Sequence, residues 1–459
     1  MVRAMDVIKV WIKICAIFII LIVTRSAYGR ESRITEIRSW AAGEYTRIVF
    51  DLDAPVTYKA TEDNKSHCIN IDFSECINAT SRNSFTINDD LVKGLFLKKS
   101  NNKKTTAQIK LCHNTDYKIF TLLKYRNKPD RVVIDISNPK FHNKEEEILQ
   151  TIQNQKENNW IIVIDPGHGG EDPGAIVKRR YKEYKEKDIV LNVARELKAY
   201  LDLEPNIKAY LTRTGDYYLP LKKRVEIAHK YQADLFVSLH VNASKKSSAY
   251  GASVYYLSQK GVSDKASQLL ANRENASDLI GGVDLSQEED DYLSSILIDL
   301  AQTYTLNESI TLGQVVLDCL LAIEDIKKDG PDGLKCGNFA VLKSPSIPSI
   351  LIELSYLTNN KDLKLLTNKK YQGQMGQHIA MGIKKSLNAR PQNIHQAPHK
   401  VAKTHATQEK YKVHTVKKGE NLWRLATYYK VNLSYLMSVN NIKDSSHIRI
   451  GQKLKIPIL

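Results

Sequence analysis

The sequence has few cysteines, and their spacing matches neither a zinc finger nor a disulfide framework. Six cysteines occur in 459 residues without a CxxC pair, which excludes a structural zinc finger and a small disulfide-stapled fold. Five lie beyond the amino-terminal segment: Cys68, Cys76, Cys112, Cys319 and Cys336. In an oxidising compartment two of the first three could pair, but an odd total leaves at least one free thiol.

The amino terminus lacks an apolar run long enough to span a membrane comfortably. The run from Ile14 to Val23 follows basic residues and precedes the small residues Ala27 and Gly29, so residues 1–29 predict a cleavable signal peptide. A retained anchor is the alternative, and the absence of a cysteine after Gly29 argues against a lipoprotein. We expect export to the periplasm and no stable membrane insertion after cleavage.

Acidic residues are fewer than basic ones, with 51 Asp and Glu against 67 Lys and Arg and a formal net charge of +16. The basic residues are spread along the chain, which favours attraction to a polyanion. For an exported protein we expect anionic cell wall and membrane surfaces as partners and no nucleic acid. A general preference for lysine is the alternative.

The length and the changes of texture along the chain predict three domains and two linkers. Short alternating β-rich runs predict a β-sandwich over residues 30–140, followed by a linker or a solvent-facing helix over residues 141–159. Residues 160–388 alternate apolar strands with amphipathic helices and predict an α/β domain with a mostly parallel sheet. A polar linker over residues 389–410 leads to a predicted βααβ module over residues 411–459.

Three polar side chains lie at the ends of apolar strands of the α/β region. His168 follows IVIDP in a glycine-rich loop that lacks the GK[ST] ending of a P-loop, His240 ends DLFVSLH, and Glu353 ends IPSILIE. Because the carboxyl ends of strands in an open α/β sheet meet in one crevice, we expect these groups to converge. A structural histidine and a salt-bridged glutamate are the alternatives.

A metal centre at this crevice needs a third ligand, and Glu183 and Glu186 are candidates because both precede the next helix. The alternative is that both are ordinary exposed acids, which are favoured near the start of a helix. Three nitrogen or oxygen ligands and a fourth position for water are typical of catalytic Zn²⁺.

Six motifs occur in order within residues 162–387: IVIDPGHGGEDPGA, EKDIVLNVA, LTRTGD, ADLFVSLHVNA, GASVYYLS and IPSILIELSYLTNN. This stretch resembles the catalytic domain of zinc-dependent N-acetylmuramoyl-L-alanine amidases, which cut the stem peptide from bacterial peptidoglycan. The resemblance implies that His168, Glu186 and His240 bind Zn²⁺ and that Glu353 is the catalytic carboxylate.

One segment departs from the pattern of these amidases. The link VKRRYKEYK before EKD is longer and more basic than usual, so Glu183 remains a competitor of Glu186 for the metal. The implied reaction is metal-assisted hydrolysis of the amide between N-acetylmuramic acid and L-alanine. A zinc peptidase acting within the stem peptide and a non-catalytic wall-binding scaffold are the alternatives.

The segment ENASDLIGGVDLSQEEDDYLSSILIDLAQ resembles the part of Gram-negative cell-division amidases that blocks the active-site groove. Ser286 and Glu289 fit a capping box, so a helix is predicted to start near Ser286. The resemblance implies that Glu288 or Glu289 covers the zinc until an activator protein with a degenerate metallopeptidase-like domain displaces the helix. An ordinary surface helix is the alternative.

The flanking regions resemble wall-binding modules. RIVFDL and RVVIDI are similar to parts of an AMIN domain, which directs such amidases to the division site and holds peptidoglycan. VHTVKKGENLWRLATYYKVNLSYLMSVNNI and IRIGQKLKIP resemble a LysM module, which binds glycans containing N-acetylglucosamine. We therefore expect a role in wall turnover and daughter-cell separation at the septum.

Overall fold

The computed structural model describes residues 31–87, 89–100, 104–125, 128–156, 159–258, 262–281, 283, 298–389, 411–417 and 451–457, with single positions between 422 and 442. The predicted signal peptide, residues 1–29, lies outside the described residues, and so do residues 390–410 of the predicted second linker. The chain forms two compact units, Met1–Ala389 and Arg390–Leu459.

The first part of the chain folds into two five-stranded sheets that share one core. The strands are β1 Ser32–Ala42, β2 Tyr45–Leu52, β3 Tyr58–Asp63, β4 Cys68–Phe73, β5 Cys76–Asn78, β6 Ser84–Phe85, β7 Val92–Ser100, β8 Lys104–Leu111, β9 Tyr117–Leu122 and β10 Asp130–Ser137. The sheet orders are β5-β1-β2-β10-β9 and β3-β4-β8-β7-β6. Phe50 of the first sheet and Phe73 of the second meet in this core with their ring centroids 5.1 Å apart.

The predicted first linker, residues 141–159, is mostly helical. Helix α1 spans Pro139–Gln155 and begins with proline at its first position, while the Asn138 side chain accepts a hydrogen bond from the Lys140 amide. The buried Ile152 packs into the core of the next region, so the helix is fixed by an apolar contact.

The central region contains a six-stranded mixed sheet with helices on both faces, so the predicted α/β architecture is confirmed. The central region as a whole has eight strands among the described residues: β11 Trp160–Pro166, β12 Ile176–Arg179, β13 Lys182–Lys185, β14 Ile207–Leu211, β15 Leu235–Asn242, β16 Ser253–Leu257, β17 Leu334–Gly337 and β18 Ser349–Tyr356. The sheet order is β14-β11-β15-β18-β16-β17, in which the β16–β18 pair is antiparallel and the other pairs are parallel. Strands β12 and β13 form a separate hairpin.

The helices of this region form one layer on each face of the sheet. They are α2 Glu186–Asp202, α3 Leu221–Lys230, α4 Lys265–Asn275, α5 Ser277–Gly281, α6 Ile298–Leu320, α7 Asn360–Leu366 and α8 Lys369–Asn388, with a 3₁₀ turn at Ala340–Leu342. Successive side chains of a strand point to opposite faces. Accordingly, Ile162 and Ile164 pack with α2, α6, α7 and α8, while Ile161 and Val163 pack with α1, α3 and α4.

The carboxy-terminal unit contains an antiparallel strand pair, β19 Tyr411–Thr415 and β20 Lys453–Pro457. Leu422, Leu425 and Leu436 share a small core with residues of and beside these strands. Most residues of the two helices predicted between the strands lie outside the described residues.

All five described cysteines are free thiols, so the disulfide considered among Cys68, Cys76 and Cys112 does not form here. Burial raises the pKa of the Cys76 thiol to about 12.

Within the described ranges, no helix combines the length and apolar character needed to cross a bilayer.

Candidate metal centre

His168 lies in a tight loop directly after β11, and two buried arginines hold that loop. The backbone of His168 has a φ of 60°, a left-handed conformation that is uncommon for residues other than glycine. Arg213 donates to the carbonyls of Pro166 and Gly167 at 2.8 Å each, and Arg224 donates to the His168 carbonyl at 2.9 Å. The surrounding contacts therefore compensate for the strained conformation of the histidine.

The orientation of the His168 ring is set by an acid in the same loop. Nδ1 of His168 lies 2.7 Å from the Asp172 carboxylate, which also accepts a hydrogen bond from the Ser277 hydroxyl. When Nδ1 donates its hydrogen bond to this carboxylate and the ring is neutral, the lone pair of Nε2 is available to another partner. This is the usual outer contact of a metal-binding histidine.

Glu186 is the first residue of α2, and backbone amides fix both of its carboxylate oxygens. Oε1 accepts from the Val241 amide and Oε2 from the Ala175 amide, each at 2.8 Å. A Cβ atom at Gly174, which has a φ of 65°, would lie 2.6 Å from Oε2 of Glu186. The glycine therefore lets the loop backbone close around this carboxylate.

His240 and Glu353 are direct neighbours on the adjacent parallel strands β15 and β18. The ring of His240 lies near that of His168, with centroids 4.8 Å apart. Thus the structure brings together the four residues predicted from the sequence, His168, Glu186, His240 and Glu353, at the carboxyl edge of the sheet.

A fifth residue, Glu274 at the end of α4, completes the group. Its Oε2 lies 3.3 Å from Nε2 of His168 and 3.3 Å from Nδ1 of His240. Arg273 donates to the other oxygen of Glu274 at 2.7 Å. Burial would raise the pKa of Glu274, but the charge of Arg273 and those of His240 and His168 in their protonated forms lower it to about 2, so the side chain is an anion facing the histidines.

These donor atoms lie close enough together to hold one metal ion, and one donor atom each of His168, His240 and Glu274 lies within 4.8 Å of the other two. Nε2 of His168 and Nδ1 of His240 lie 3.2 Å apart, and each lies 3.0 to 3.3 Å from Oε1 of Glu186 and from Oε2 of Glu274. Ligands at about 2.0–2.1 Å from zinc in a tetrahedron lie about 3.3 Å from one another. Two imidazoles and two carboxylates are also donors that zinc accepts.

Glu353 is fully buried, and neither of its carboxylate oxygens has a hydrogen-bond partner among the described residues. Burial raises the pKa of Glu353 to about 8. A buried acid without a partner is costly and calls for a functional explanation. It suits a group that exchanges a proton near neutral pH.

The competing candidate Glu183 lies away from this buried group. Glu183 projects from the β12–β13 hairpin, where its carboxylate pairs with Lys178 at 3.1 Å and with Lys185 at 3.3 Å. It does not join the buried group. Glu288 and Glu289, the acids predicted to cover the metal, lie outside the described residues.

Sequence reasoning missed Glu274 although it belongs to the segment ENASDLIGG that was associated with a gate. The capping box at Ser286 indicated the later acids Glu288 and Glu289 instead. The available signal was an acid next to an arginine at the end of an amphipathic run, which is common on helix surfaces. The place of α4 depends on distant contacts, such as the hydrogen bond that Asn275 donates to the Asn338 carbonyl.

Known proteins match both the central region and the carboxy-terminal unit. A family model described as N-acetylmuramoyl-L-alanine amidase matches residues 162–385, and one described as LysM domain matches residues 414–457. The amidase AmiC of Escherichia coli is 30% identical over 391 residues, which cover 80% of this chain and 92% of that protein.

Shorter matches cover the central region. The amidase AmiA of Escherichia coli is 40% identical over 223 residues, covering 49% of this chain and 74% of that protein. Among solved structures, the amidase AmiC2 of Nostoc punctiforme has 30% sequence identity and a TM-score of 0.36, covering 50% of this chain and 97% of that chain.

Proposed function

The chain belongs to the family of N-acetylmuramoyl-L-alanine amidases, and on that premise we propose a zinc-dependent, autoinhibited peptidoglycan hydrolase. It cleaves the amide bond between N-acetylmuramic acid and the L-alanine of the stem peptide. The observation that carries the proposal is the close approach of Nε2 of His168 and Nδ1 of His240, which lie 3.2 Å apart and each 3.0 to 3.3 Å from Oε1 of Glu186 and from Oε2 of Glu274.

His168, Glu186 and His240 are the resident zinc ligands in this proposal. Zinc held by these three side chains would supply a Lewis acid that polarises the scissile carbonyl and lowers the pKa of water at the site toward neutrality. Asp172 keeps the Nδ1 proton of His168 in place, and the backbone amides of Ala175 and Val241 hold the Glu186 carboxylate in one orientation.

Glu353 is the proton carrier of the reaction. Its oxygens have no competing hydrogen bond among the described residues. The side chain takes a proton from the attacking water and returns it to the amine of the leaving L-alanine. Its neighbour His240 on the adjacent strand keeps it beside the metal group.

Glu274 makes the described state a resting state. A catalytic zinc site keeps one position open for water, whereas here a fourth side-chain donor lies within 3.3 Å of both histidines. Hydrolysis therefore requires Glu274 to withdraw. In this proposal an activator protein, as the resemblance to Gram-negative cell-division amidases implies, causes that movement.

The flanking regions tether the enzyme to its polymeric substrate. The LysM module binds the glycan, and the two-sheet amino-terminal region acts as an AMIN-type targeting domain that concentrates the enzyme at the septum. Export to the periplasm by residues 1–29 places the chain in contact with peptidoglycan. Tethering increases the local substrate concentration without new contacts at the active site.

Mass spectrometry of digested sacculi tests this function. We expect free stem peptides and glycan strands with intact muramoyl groups, a product pattern that a chelator abolishes and added zinc restores. Cleavage within the stem peptide would indicate a peptidase. No products, even from a Glu274→Gln variant, would indicate a scaffold.

Two pairs of variants test the assigned roles. Glu353→Gln conserves the shape of the side chain but removes the proton carrier, so the hydrolysis rate should fall by about 10²–10⁴-fold with zinc content unchanged. Glu186→Gln should lose bound zinc, whereas the matched control Glu183→Gln should keep it. Zinc content measured by elemental analysis decides the second comparison, and loss of zinc from the control alone would reverse the assignment.

A further inference from the structure

One face of the amino-terminal sandwich lies against the metal loop through buried charges. Nitrogens of Arg38 and Lys128 lie 2.5 and 2.9 Å from the Glu171 carboxylate, and Lys128 also donates to the Glu171 backbone carbonyl at 2.8 Å. Arg131 lies 3.7 Å from the same carboxylate. Glu171 is only 2% exposed, so removing these cations would leave a buried charge uncompensated.

The same face of the sandwich reaches the carboxyl end of α5. Arg47 donates to the Gly281 carbonyl at 2.8 Å, and Arg131 donates to the Ile280 carbonyl at 3.3 Å. The last carbonyls of a helix lack intrahelical partners, and cations are favoured at that end. Asp135 on the neighbouring strand holds the Arg47 guanidinium at 2.6 Å, so the sandwich supplies a rigid cap for this helix.

Helix α5 is in turn connected to the metal centre. Ser277, its first residue, donates to Asp172, which orients His168. Glu274 lies three residues before Ser277, at the end of α4. The position of α5 therefore affects both the orientation of a metal ligand and the placement of the carboxylate that fills the fourth position.

A second route joins the sandwich to α5. Tyr45 of β2 donates to the Tyr218 carbonyl at 3.2 Å, and the Tyr218 hydroxyl donates to Asp278 at 2.6 Å. Asp278 also accepts from the Leu221 amide at 3.0 Å. Helix α5 is thus held from its carboxyl end by the sandwich and along its length by a residue that the sandwich contacts.

We propose that the amino-terminal sandwich is an intramolecular clamp that holds Glu274 on the metal ligands, with Arg47 and Arg131 as positioning residues. The inference rests on the autoinhibition proposed above. When the sandwich leaves this face, the end of α5 loses both guanidinium donors, and the adjoining end of α4 that carries Glu274 loses part of its support. Docking of the sandwich and opening of the active site are therefore mutually exclusive.

The test uses the full chain with Arg47→Gln and Arg131→Gln combined, and Arg33→Gln as matched control. Arg33 is exposed and pairs with Asp53 within the sandwich at 3.0 Å. We expect basal hydrolysis of labelled sacculi to rise by about fivefold or more, the lower end of measured coupling between sites. Hydrogen exchange of the amides of residues 274–281 should accelerate in the double variant and not in the control.

The Glu274→Gln background separates the clamp from autoinhibition. If Glu274→Gln raises basal hydrolysis and the arginine substitutions add nothing further, the arginines act through Glu274. If Glu274→Gln is active but the double variant matches wild type in hydrolysis and exchange, the clamp is wrong and autoinhibition stands. If Glu274→Gln has no effect, autoinhibition itself fails.

A folding defect would not leave the clamp untested. Should the double variant lower the unfolding temperature of the chain, Lys128→Gln replaces it, because that side chain is partly exposed and contacts Glu171 at the edge of the same face. Faster exchange at residues 274–281 in Lys128→Gln supports the clamp, and unchanged exchange overturns it.

Discussion

Asp165 is a fully buried carboxylate that anchors the metal loop through one arginine and two hydroxyls. Arg224 donates to it at 2.8 Å, and Thr212 and Ser238 donate at 2.6 and 2.8 Å. Burial would raise the pKa of Asp165, but Arg224 and the two hydroxyls lower it below its ordinary value. The acid therefore stabilises the fold as an anion.

Asp165→Asn should destabilise the chain by about 3–5 kcal/mol, because it leaves Arg224 buried without a counter-charge. Guanidinium unfolding at pH 7 measures this loss. The matched control Ser238→Ala removes one hydrogen bond and should cost about 0.5–1.5 kcal/mol. Equal losses in the two variants would contradict the importance of the buried charge pair.

The pH dependence of the same pair has a definite sign. A carboxyl with a lowered folded-state pKa stabilises the protein fully above its unfolded pKa, and this contribution disappears as the pH falls through the folded value. The advantage of wild type over Asp165→Asn should therefore be constant at neutral pH and shrink below about pH 4. An advantage that grows on acidification would contradict the assignment.

At the residue scale, the sequence predicted the side chains whose places depend on the ends of strands. His168, His240 and Glu353 follow apolar strands, and parallel strands bring their carboxyl ends together whatever the details of packing. Glu274 could not be predicted in this way, because its place depends on how a helix packs after the chain has folded. The resemblance favoured Glu186 over Glu183, and the folded loop shows the amides of Ala175 and Val241 donating to the Glu186 carboxylate.

At the scale of elements, helices α2 and α8 approach closely because glycine occupies their contact. A Cβ atom at Gly376 of α8 would lie 2.7 Å from the backbone nitrogen of Leu197 and 2.8 Å from the Cβ of Glu196. Gly373, one turn earlier, has its nearest atom at 3.8 Å. These two glycines therefore differ in the space available to a methyl group.

Gly376→Ala should destabilise the chain by about 1–3 kcal/mol, because the backbone of α2 cannot yield as a side chain can. Gly373→Ala is the control and should stabilise by up to about 1 kcal/mol, since alanine favours the helix and no clash opposes it. Unfolding midpoints measured in parallel test both. Equal stability of the two variants would mean that α8 moves away from α2 without cost.

Most helices and strands followed from apolar patterns in the sequence, whereas α1 and the β12–β13 hairpin depend on further contacts. Residues 141–159 are polar enough to suggest a linker or a solvent-facing helix; the helix α1 forms because Asn138 caps it and Ile152 is buried against the central region. The basic insertion before Glu186 forms the β12–β13 hairpin, and its charges pair with one another. Local composition could not show the burial of Ile152 or the pairing of the hairpin charges.

At the scale of the whole molecule, the sandwich and the catalytic region are joined by arginines that looked ordinary in the sequence. Arg47 and Arg131 lie in β-rich runs where alternating polar residues usually face solvent. In the structure they are 7% and 1% exposed. The docking of one region on another was therefore not predictable from strand patterns, although the existence of both regions was.

Deleting residues 411–459, the LysM module in its separate compact unit, should raise the KM for intact sacculi about tenfold or more, because tethering contributes only local concentration. The kcat on a short soluble muropeptide should stay unchanged. Steady-state kinetics on both substrates measures this split. A fall in kcat on the soluble substrate would show that the module takes part in catalysis.

X-ray absorption at the zinc edge of the purified full chain, loaded with one equivalent of zinc, tests the proposed metal centre most directly. We predict four nitrogen or oxygen donors at about 2.0–2.1 Å, with two imidazoles among them and one fewer in His240→Ala. Sulfur donors, or an imidazole count that His240→Ala leaves unchanged, would contradict a site built from His168, Glu186, His240 and Glu274.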